Sequence, residues 1–553
     1  MIFRQRQHTR LSLTLTLLLP WSLIEKRKDR FRRARIIAPI LAGILGGVVS
    51  IFPAYAQNPD SFAIKAEFGD YAVGFRLVEQ YDYSRTFAPL VDEVGKPFQG
   101  ERARPIQTLI WYPAQNDTQH MTVGDYVALG RTEASFGHPQ GFDDPADYFT
   151  SGIRPTYPDV LAAMRDALPV SQRFPVVIYA PSFSSNAWEN ADLCEYLASF
   201  GYVVIASPGM GVEHDSTHDL AGADAQARDI SFLIGYARTL PNTDQGHLAV
   251  VGWSWGGLSS LIAAAHDNRI QALADLDGSI RYWAGLVKAA SIDPARMTIP
   301  LLYVKSQDTI EDQAHLEETY STAAGPSVLN HWTGGDLIDV QMLQMIHPEF
   351  GSMVFRNQNF WDHELDRLRF GDYTRADGVE SFGWMARYTR EFLDAYLKQD
   401  RGAMAFLKST PSKAGVPEHL LGITFQPGAS KPLDQTAFRQ DVAKAGFDHL
   451  AEVYDTTKKN HPDFKLSSDD LTSWAWGLMY EGHSVEGLAV AKLADNENAS
   501  SNWVITTLAA AYLRSGHRKE AIVTYEQLLK KDPGNVFAST ALAQLNAQHE
   551  NDH

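Results

Sequence analysis

At 553 residues the chain is too long for a single hydrophobic core, and two or three domains are expected. Its composition, 44% apolar and 21% charged without a low-complexity tract, excludes a fibrous or disordered chain. The formal charge is -17; ten cations crowd into residues 1–56 against only Glu25 and Asp29, so the remainder carries -25, a surface that repels nucleic acid and anionic membranes and excludes them as partners.

The N-terminus has the order of a signal peptide. Lys26 to Arg35 is basic, Ile36 to Phe52 is apolar, and Ala54 and Ala56 put small residues before a cut at Gln57. The expectation is a leader over 1–56 and a periplasmic or secreted mature chain. The competing reading is an uncleaved membrane anchor, because the apolar run nearly spans a bilayer and Leu11–Leu19 adds a second. Arg32-Arg33 matches only the arginine pair of a twin-arginine signal. Cys194 is the one cysteine, so no intrachain disulfide forms and stability rests on core packing.

Strand-like alternation follows at Tyr71–Val78 and Ile106–Tyr112, and residues 116–170, rich in Gly, Pro and Asp, read as a long irregular excursion. From Phe174 strands and helices alternate. The unbroken apolar run Pro175–Ala180 predicts a strand buried on both faces. A helix (Ala187–Phe200), a strand (Tyr202–Ser207), a helix (Ala221–Leu240) and a strand (His247–Gly252) come next. Then come a helix from Gly256, the strands Ile270–Leu276 and Ile299–Lys305, a helix near 312–323 and a last strand, Leu337–Ile346. The helix Phe382–Leu397 carries Met385, Tyr388, Phe392 and Tyr396 at helical spacing. Such alternation predicts an α/β domain over 57–425, a mostly parallel sheet with helices on both faces.

Residues 434–553 read as a separate all-α domain without strands. Leu508, Ala509, Tyr512, Gly516, Ala521, Tyr525, Leu528 and Pro533 stand at tetratricopeptide spacing. Thirty-four residues earlier, Trp474, Ala475, Leu478, Gly482, Gly487, Ala491, Ala494 and Ala499 form a weaker copy. Residues 438–460 suggest a further helical pair and 537–545 a capping helix. Such repeats bind a protein partner, self-associate, or pack onto the neighbouring domain.

Gly252-Trp253-Ser254-Trp255-Gly256-Gly257 joins a predicted strand to a predicted helix. A sharp turn there lifts the Ser254 hydroxyl off the sheet, and glycine two residues to either side avoids clashes. The helix N-terminus then aims the Trp255 N–H at a developing oxyanion. A nucleotide-binding turn is the alternative, but no phosphate-loop lysine or G-x-G-x-x-G accompanies it. A serine nucleophile needs a base oriented by a carboxylate, both later in the chain. Asp277 and Asp308 each end a predicted strand, and His347 ends the last one, with His331, His363, His214 and His218 as competitors. His214 and His218 have metal-ligand spacing but no third ligand nearby, so neither a metal nor a cofactor is expected.

Residues 70–400 resemble the branch of α/β-hydrolases that contains dienelactone hydrolases and secreted platelet-activating-factor acetylhydrolases. The likeness rests on Arg104-Pro105-Ile106-Gln107, Trp111-Tyr112-Pro113, Phe174–Pro181, Leu197–Val204, Gly252–Gly257, Leu276-Asp277-Gly278 and Ile346-His347-Pro348-Glu349-Phe350. The resemblance implies Ser254 as nucleophile, Asp277 rather than Asp308 as acid and His347 as base. It also implies the Phe183 N–H as second oxyanion donor, although Pro181-Ser182 replaces the family's His-Gly before it. The expected activity is ester hydrolysis. Trp253 and Trp255, with Trp188, Trp283 and Trp332, read either as an aromatic rim for an apolar or aryl ester or as core. The competing functions are a peptidase or amidase on the same triad, and a repeat-mediated binding protein with a vestigial hydrolase domain.

Overall fold

The computed structural model describes residues 62–92, 94–136, 148–213, 215–306, 328–342, 351–359, 375–418, 420–429, 435–462 and 464–551. Its eleven described strands form one sheet: β1 (Ala72–Thr86), β2 (Ala103–Ala114), β3 (His120–Thr122), β4 (Val160–Arg165), β5 (Phe174–Ala180), β6 (Val203–Ala206), β7 (Thr243–Trp253), β8 (Ala272–Leu276), β9 (Leu301–Ser306), β10 (Leu337–Met342) and β11 (Leu421–Gln426). The spatial order is β11-β10-β9-β8-β7-β5-β6-β2-β1-β4-β3. Neighbours from β10 to β6 are parallel, whereas β1–β2, β2–β6, β3–β4 and β10–β11 pair antiparallel.

The described residues of the span 116–170, which leave out 137–147, are not the irregular excursion its composition suggests. They supply β3 and β4, and β4 pairs parallel with β1 through Val73–Ala163. The core of β4, Leu161-Ala162-Ala163-Met164, has no β-branched residue, so the sheet partner rather than local propensity decides its conformation. The edge strand β11 also escapes the sequence, because its alternation of Leu421, Ile423 and Phe425 is short and soon meets Pro427-Gly428.

The apolar run of β5 alternates between two cores. Val176 and Ile178 face one with Val250; Val177 and Tyr179 face the other with Val251. Helices α1 (Ala191–Ser199) and α4 (Arg375–Leu397) belong to the second core, α2 (Leu220–Ala237) and α3 (Trp255–His266) to the first. From β5 the chain crosses to β6 on one side, and β7 then lies on the other. The sheet's topological switch point therefore falls between the carboxyl ends of β5 and β7, where open α/β sheets bind ligands.

The C-terminal region is all helix: α5 (Gln435–Ala445), α6 (Leu450–Asn460), α7 (Ser468–Tyr480), α8 (Ser484–Asn498), α9 (Asn502–Arg514), α10 (Arg518–Lys531) and α11 (Val536–Asn551). The two repeats share one turn. Gly482 (φ 90°) and Gly516 (φ 85°) end α7 and α9 in the left-handed region, and His483 and His517 donate backbone bonds of 2.8 Å to Leu478 and Tyr512. Apolar clusters inside 438–511 and 509–545 give these helices their own cores.

Candidate active site

Ser254 is the single residue between β7 and α3, with φ 50° and ψ -116°. A non-glycine residue held there costs about 1–3 kcal/mol and persists only where its surroundings dictate it. They do: the Ser254 N–H donates to Leu276 O at 3.0 Å, and its carbonyl accepts from Gly257 N at 3.0 Å and Ser279 N at 2.9 Å. A Cβ on Gly252 would sit 2.4 Å from Gly256 O, and one on Gly256 would sit 2.1 Å from Ala180 O. The glycines thus leave room for α3 to turn straight back onto the ends of β5 and β7. Trp255 opens α3, so its N–H has no intrahelical acceptor.

Ala180 pairs with Gly252, so the loop 181–186 leaves β5 beside the elbow. The Phe183 ring packs edge-on against Trp255 at 5.6 Å. Its N–H donates to no group among the described residues. The loop has no glycine, and Ser184 takes the positive φ (50°) instead. Gln226 Nε2 donates to Pro181 O, Ser216 N to Ser184 Oγ and Gly209 N to Ser185 O, each at 2.8 Å. Glu189 accepts from Ser182 N at 2.7 Å and Ser182 Oγ at 2.6 Å. These bonds stand where the resemblance implied His-Gly.

Asp277 follows β8 with φ 49°, is buried, and donates its N–H to Val304 O at 2.6 Å. Arg281 Nη2 lies 3.5 Å from its Oδ1. Two residues back, Asp275 is fully buried and neither carboxylate oxygen has a hydrogen-bond partner among the described residues. Burial first, and the Asp277 charge second, push its pKa well above the usual carboxylate range. The structure thus brings Ser254, Trp255, Phe183 and Asp277 to one end of the sheet. His347, Asp308, His214 and His363 lie outside the described residues, and His331 is exposed on a 3-10 turn (Val328–His331).

The aromatic wall is not the one the tryptophan positions suggested. Trp188, Trp253, Trp255 and Trp332 are fully buried core residues, and only Trp283 of the five is partly exposed. Instead His218 stacks on Phe183 at 3.9 Å and lies parallel to Trp283 at 5.8 Å, with Trp255 edge-on to both Phe183 and Trp283. Desolvation lowers the His218 pKa. Sequence reasoning missed Glu189, Asp275, Arg281 and this use of His218. A glutamate inside the apolar stretch Ala187-Trp188-Glu189-Asn190-Ala191 was the one available signal. A cavity of about 250 Å³ adjoins the loop, lined by Glu133, Ser184, Ser185, Asn186, Met210 and Asp215 among others. A larger one, about 470 Å³, lies at the far end of α1, beside Ser199 and Phe200.

Residues 163–328 match the dienelactone hydrolase family, and residues 503–545 match a tetratricopeptide repeat. No curated protein matches the chain. Among solved structures, a ferulic acid esterase from Streptomyces cinnamoneus is similar at 20% identity and a TM-score of 0.42, over 61% of this chain and 93% of that one. The segment that matches the dienelactone hydrolase family, residues 163–328, thus lies in a mostly parallel α/β sheet, and the sheet is followed by an all-helical region that contains a tetratricopeptide repeat.

Proposed function

We propose that the protein is an exported serine carboxylic-ester hydrolase that acts on apolar or aryl esters without a metal or cofactor. One observation carries the reading: Ser254 stands in a strained turn at the sheet's switch point, between β7 and the N-terminus of α3 and beside the loop that leaves β5. His347 takes the Ser254 proton as Oγ attacks the ester carbonyl carbon, and the two N–H groups hold the resulting oxyanion. The C–O bond then breaks, and the alcohol leaves with the proton from His347. Water, deprotonated in turn by His347, attacks the acyl carbon; the bond to Ser254 Oγ breaks as Oγ takes that proton back from His347, and the acid is released. Asp277 fixes the imidazole tautomer throughout.

The aromatic rings of Phe183, His218 and Trp283 near the elbow favour a flat or apolar substituent. A fluorophosphonate tests the core of the proposal, because only an activated hydroxyl reacts with it quickly. Labelling is expected at Ser254 alone; a Ser254→Ala protein labelled at the wild-type rate overturns the reading. Export predicts a native N-terminus at Gln57, which mass spectrometry reads directly; an intact leader in the membrane fraction contradicts it.

A further inference from the structure

The loop that carries the Phe183 N–H is packed through the Phe183 ring, which lies against His218 and Trp255. Ser184, Ser185 and Asn186 line the 250 Å³ cavity, and no glycine shapes the turn. Hydrogen bonds complete its hold, and the buried Glu189 accepts those made by Ser182. One carboxylate oxygen accepts from Tyr179 Oη and Ser182 N, both at 2.7 Å, and the other from Ser182 Oγ at 2.6 Å. Burial raises the Glu189 pKa, whereas these donors pull it down by favouring the charged form.

Glu189 is itself fixed. Asn190 Nδ2 donates to Tyr179 Oη at 2.5 Å, and Asn190 Oδ1 accepts from Ser352 N at 2.8 Å. Met353 N donates to the Glu189 carbonyl at 3.1 Å. Tyr179 lies on β5 and Ser352 on a short helix (Ser352–Arg356), so the carboxylate is referred to two rigid elements. A residue held this firmly transmits their geometry to Ser182, one peptide before the Phe183 N–H.

We infer that Glu189 is a positioning residue for the oxyanion hole, setting the Phe183 N–H through Ser182 without touching substrate. The inference rests on the serine-hydrolase reading above. A transition-state donor that is misplaced lowers kcat and leaves ground-state binding alone, which separates positioning from a merely structural role.

The test uses the full chain and aryl esters, after fluorophosphonate labelling of wild type at Ser254. No label at Ser254 fails the serine-hydrolase reading itself. With Ser254 labelled, Glu189→Ala should lower kcat about 100-fold with KM within about threefold. Glu189→Gln keeps one acceptor oxygen for Ser182 N and Tyr179 Oη, and Ser182 Oγ can accept from its amide; it should stay within about tenfold of wild type. Should Glu189→Ala fail to fold, Glu189→Asp, which keeps the charge but withdraws the carboxylate by one methylene, should show the same kcat loss. Unchanged kcat in the shortened variant, a loss confined to KM, or a Gln variant as slow as that variant overturns the inference.

Discussion

Ser254 and Asp277 leave neighbouring parallel strands with positive φ, 50° and 49°, and the Ser254 N–H bonds the carbonyl of Leu276, the residue before Asp277. One peptide of β8 thus braces the elbow and sets the direction in which Asp277 leaves the sheet. Two strained residues tied by one hydrogen bond define the reach of a base placed between them.

That brace makes Asp277 the acid to test. An Asn in the acid's place keeps its shape but stabilises the wrong imidazole tautomer, so Asp277→Asn should cost about 10⁴-fold in kcat. Asp308→Asn should cost no more than about tenfold. The reverse pattern, read by steady-state kinetics on an aryl ester, would move the acid to the strand after β8.

Crowding at the elbow gives a second prediction. A Cβ on Gly256 would meet the backbone oxygens of Ala180 and Pro181 at 2.1 and 2.6 Å, and neither can yield without moving β5. Gly256→Ala should therefore destabilise the fold by about 2–4 kcal/mol and abolish turnover. At Gly285, in the short helix Ala284–Ala289, nothing lies within 4 Å of the same atom. Gly285→Ala should leave activity intact and hold or raise Tm. Equal Tm values for the two variants would contradict the crowding argument.

Ser254 was legible because an elbow has a local requirement, small residues two positions away, which Gly252 and Gly256 meet in the sequence itself. The repeats were legible for a similar reason: Gly482 and Gly516 each need a positive φ at the same phase. The alternation of strands and helices from Phe174 to Ser306 also matched, since buried parallel strands announce themselves as apolar runs. Glu189 was not legible, because its partners Tyr179 and Ser182 meet it only once the loop folds back. Neither was the aromatic wall: Phe183, His218 and Trp283 lie far apart in the chain, whereas Trp253, adjacent to the nucleophile, points into the core. Pairing decided β4 and β11, and pairing has no local signature when a strand is short and poor in β-branched residues.

A cut after Lys431 should leave an active esterase. Core residues of the sheet layers end at Leu421, and those of the helical region begin at Phe438. The catalytic candidates all precede the cut. Fluorophosphonate labelling and kcat of residues 57–431 should match the longer chain within about threefold, the scatter expected of independent cores. A soluble but inactive fragment would mean that the helices shape the pocket.

Glu195 on α1 supplies a pH prediction whose sign follows from its surroundings. Its carboxyl is 1% exposed, accepts from Tyr126 Oη and Ala162 N at 2.7 Å each, and stands near Asp192. Burial first, then the Asp192 charge, push its pKa from 4.5 up to about 8. Between those values the unfolded chain has released a proton that the folded chain keeps, so folding takes one up. The stabilising contribution is whole below pH 4.5 and is lost as pH rises to about 8, at about 1.4 kcal/mol per pH unit for one proton. Glu133, also pushed up to about 8 by burial, adds to the same slope. Urea midpoints of wild type should therefore fall from pH 5.5 to pH 8.5. Glu195→Gln presents a neutral group at every pH, so it should be weaker than wild type at pH 5.5 but lose less on the way up. Parallel slopes for the two proteins would show that Glu195 ionises at its ordinary pKa, which two backbone and tyrosine donors could bring about only by outweighing the burial of the charge.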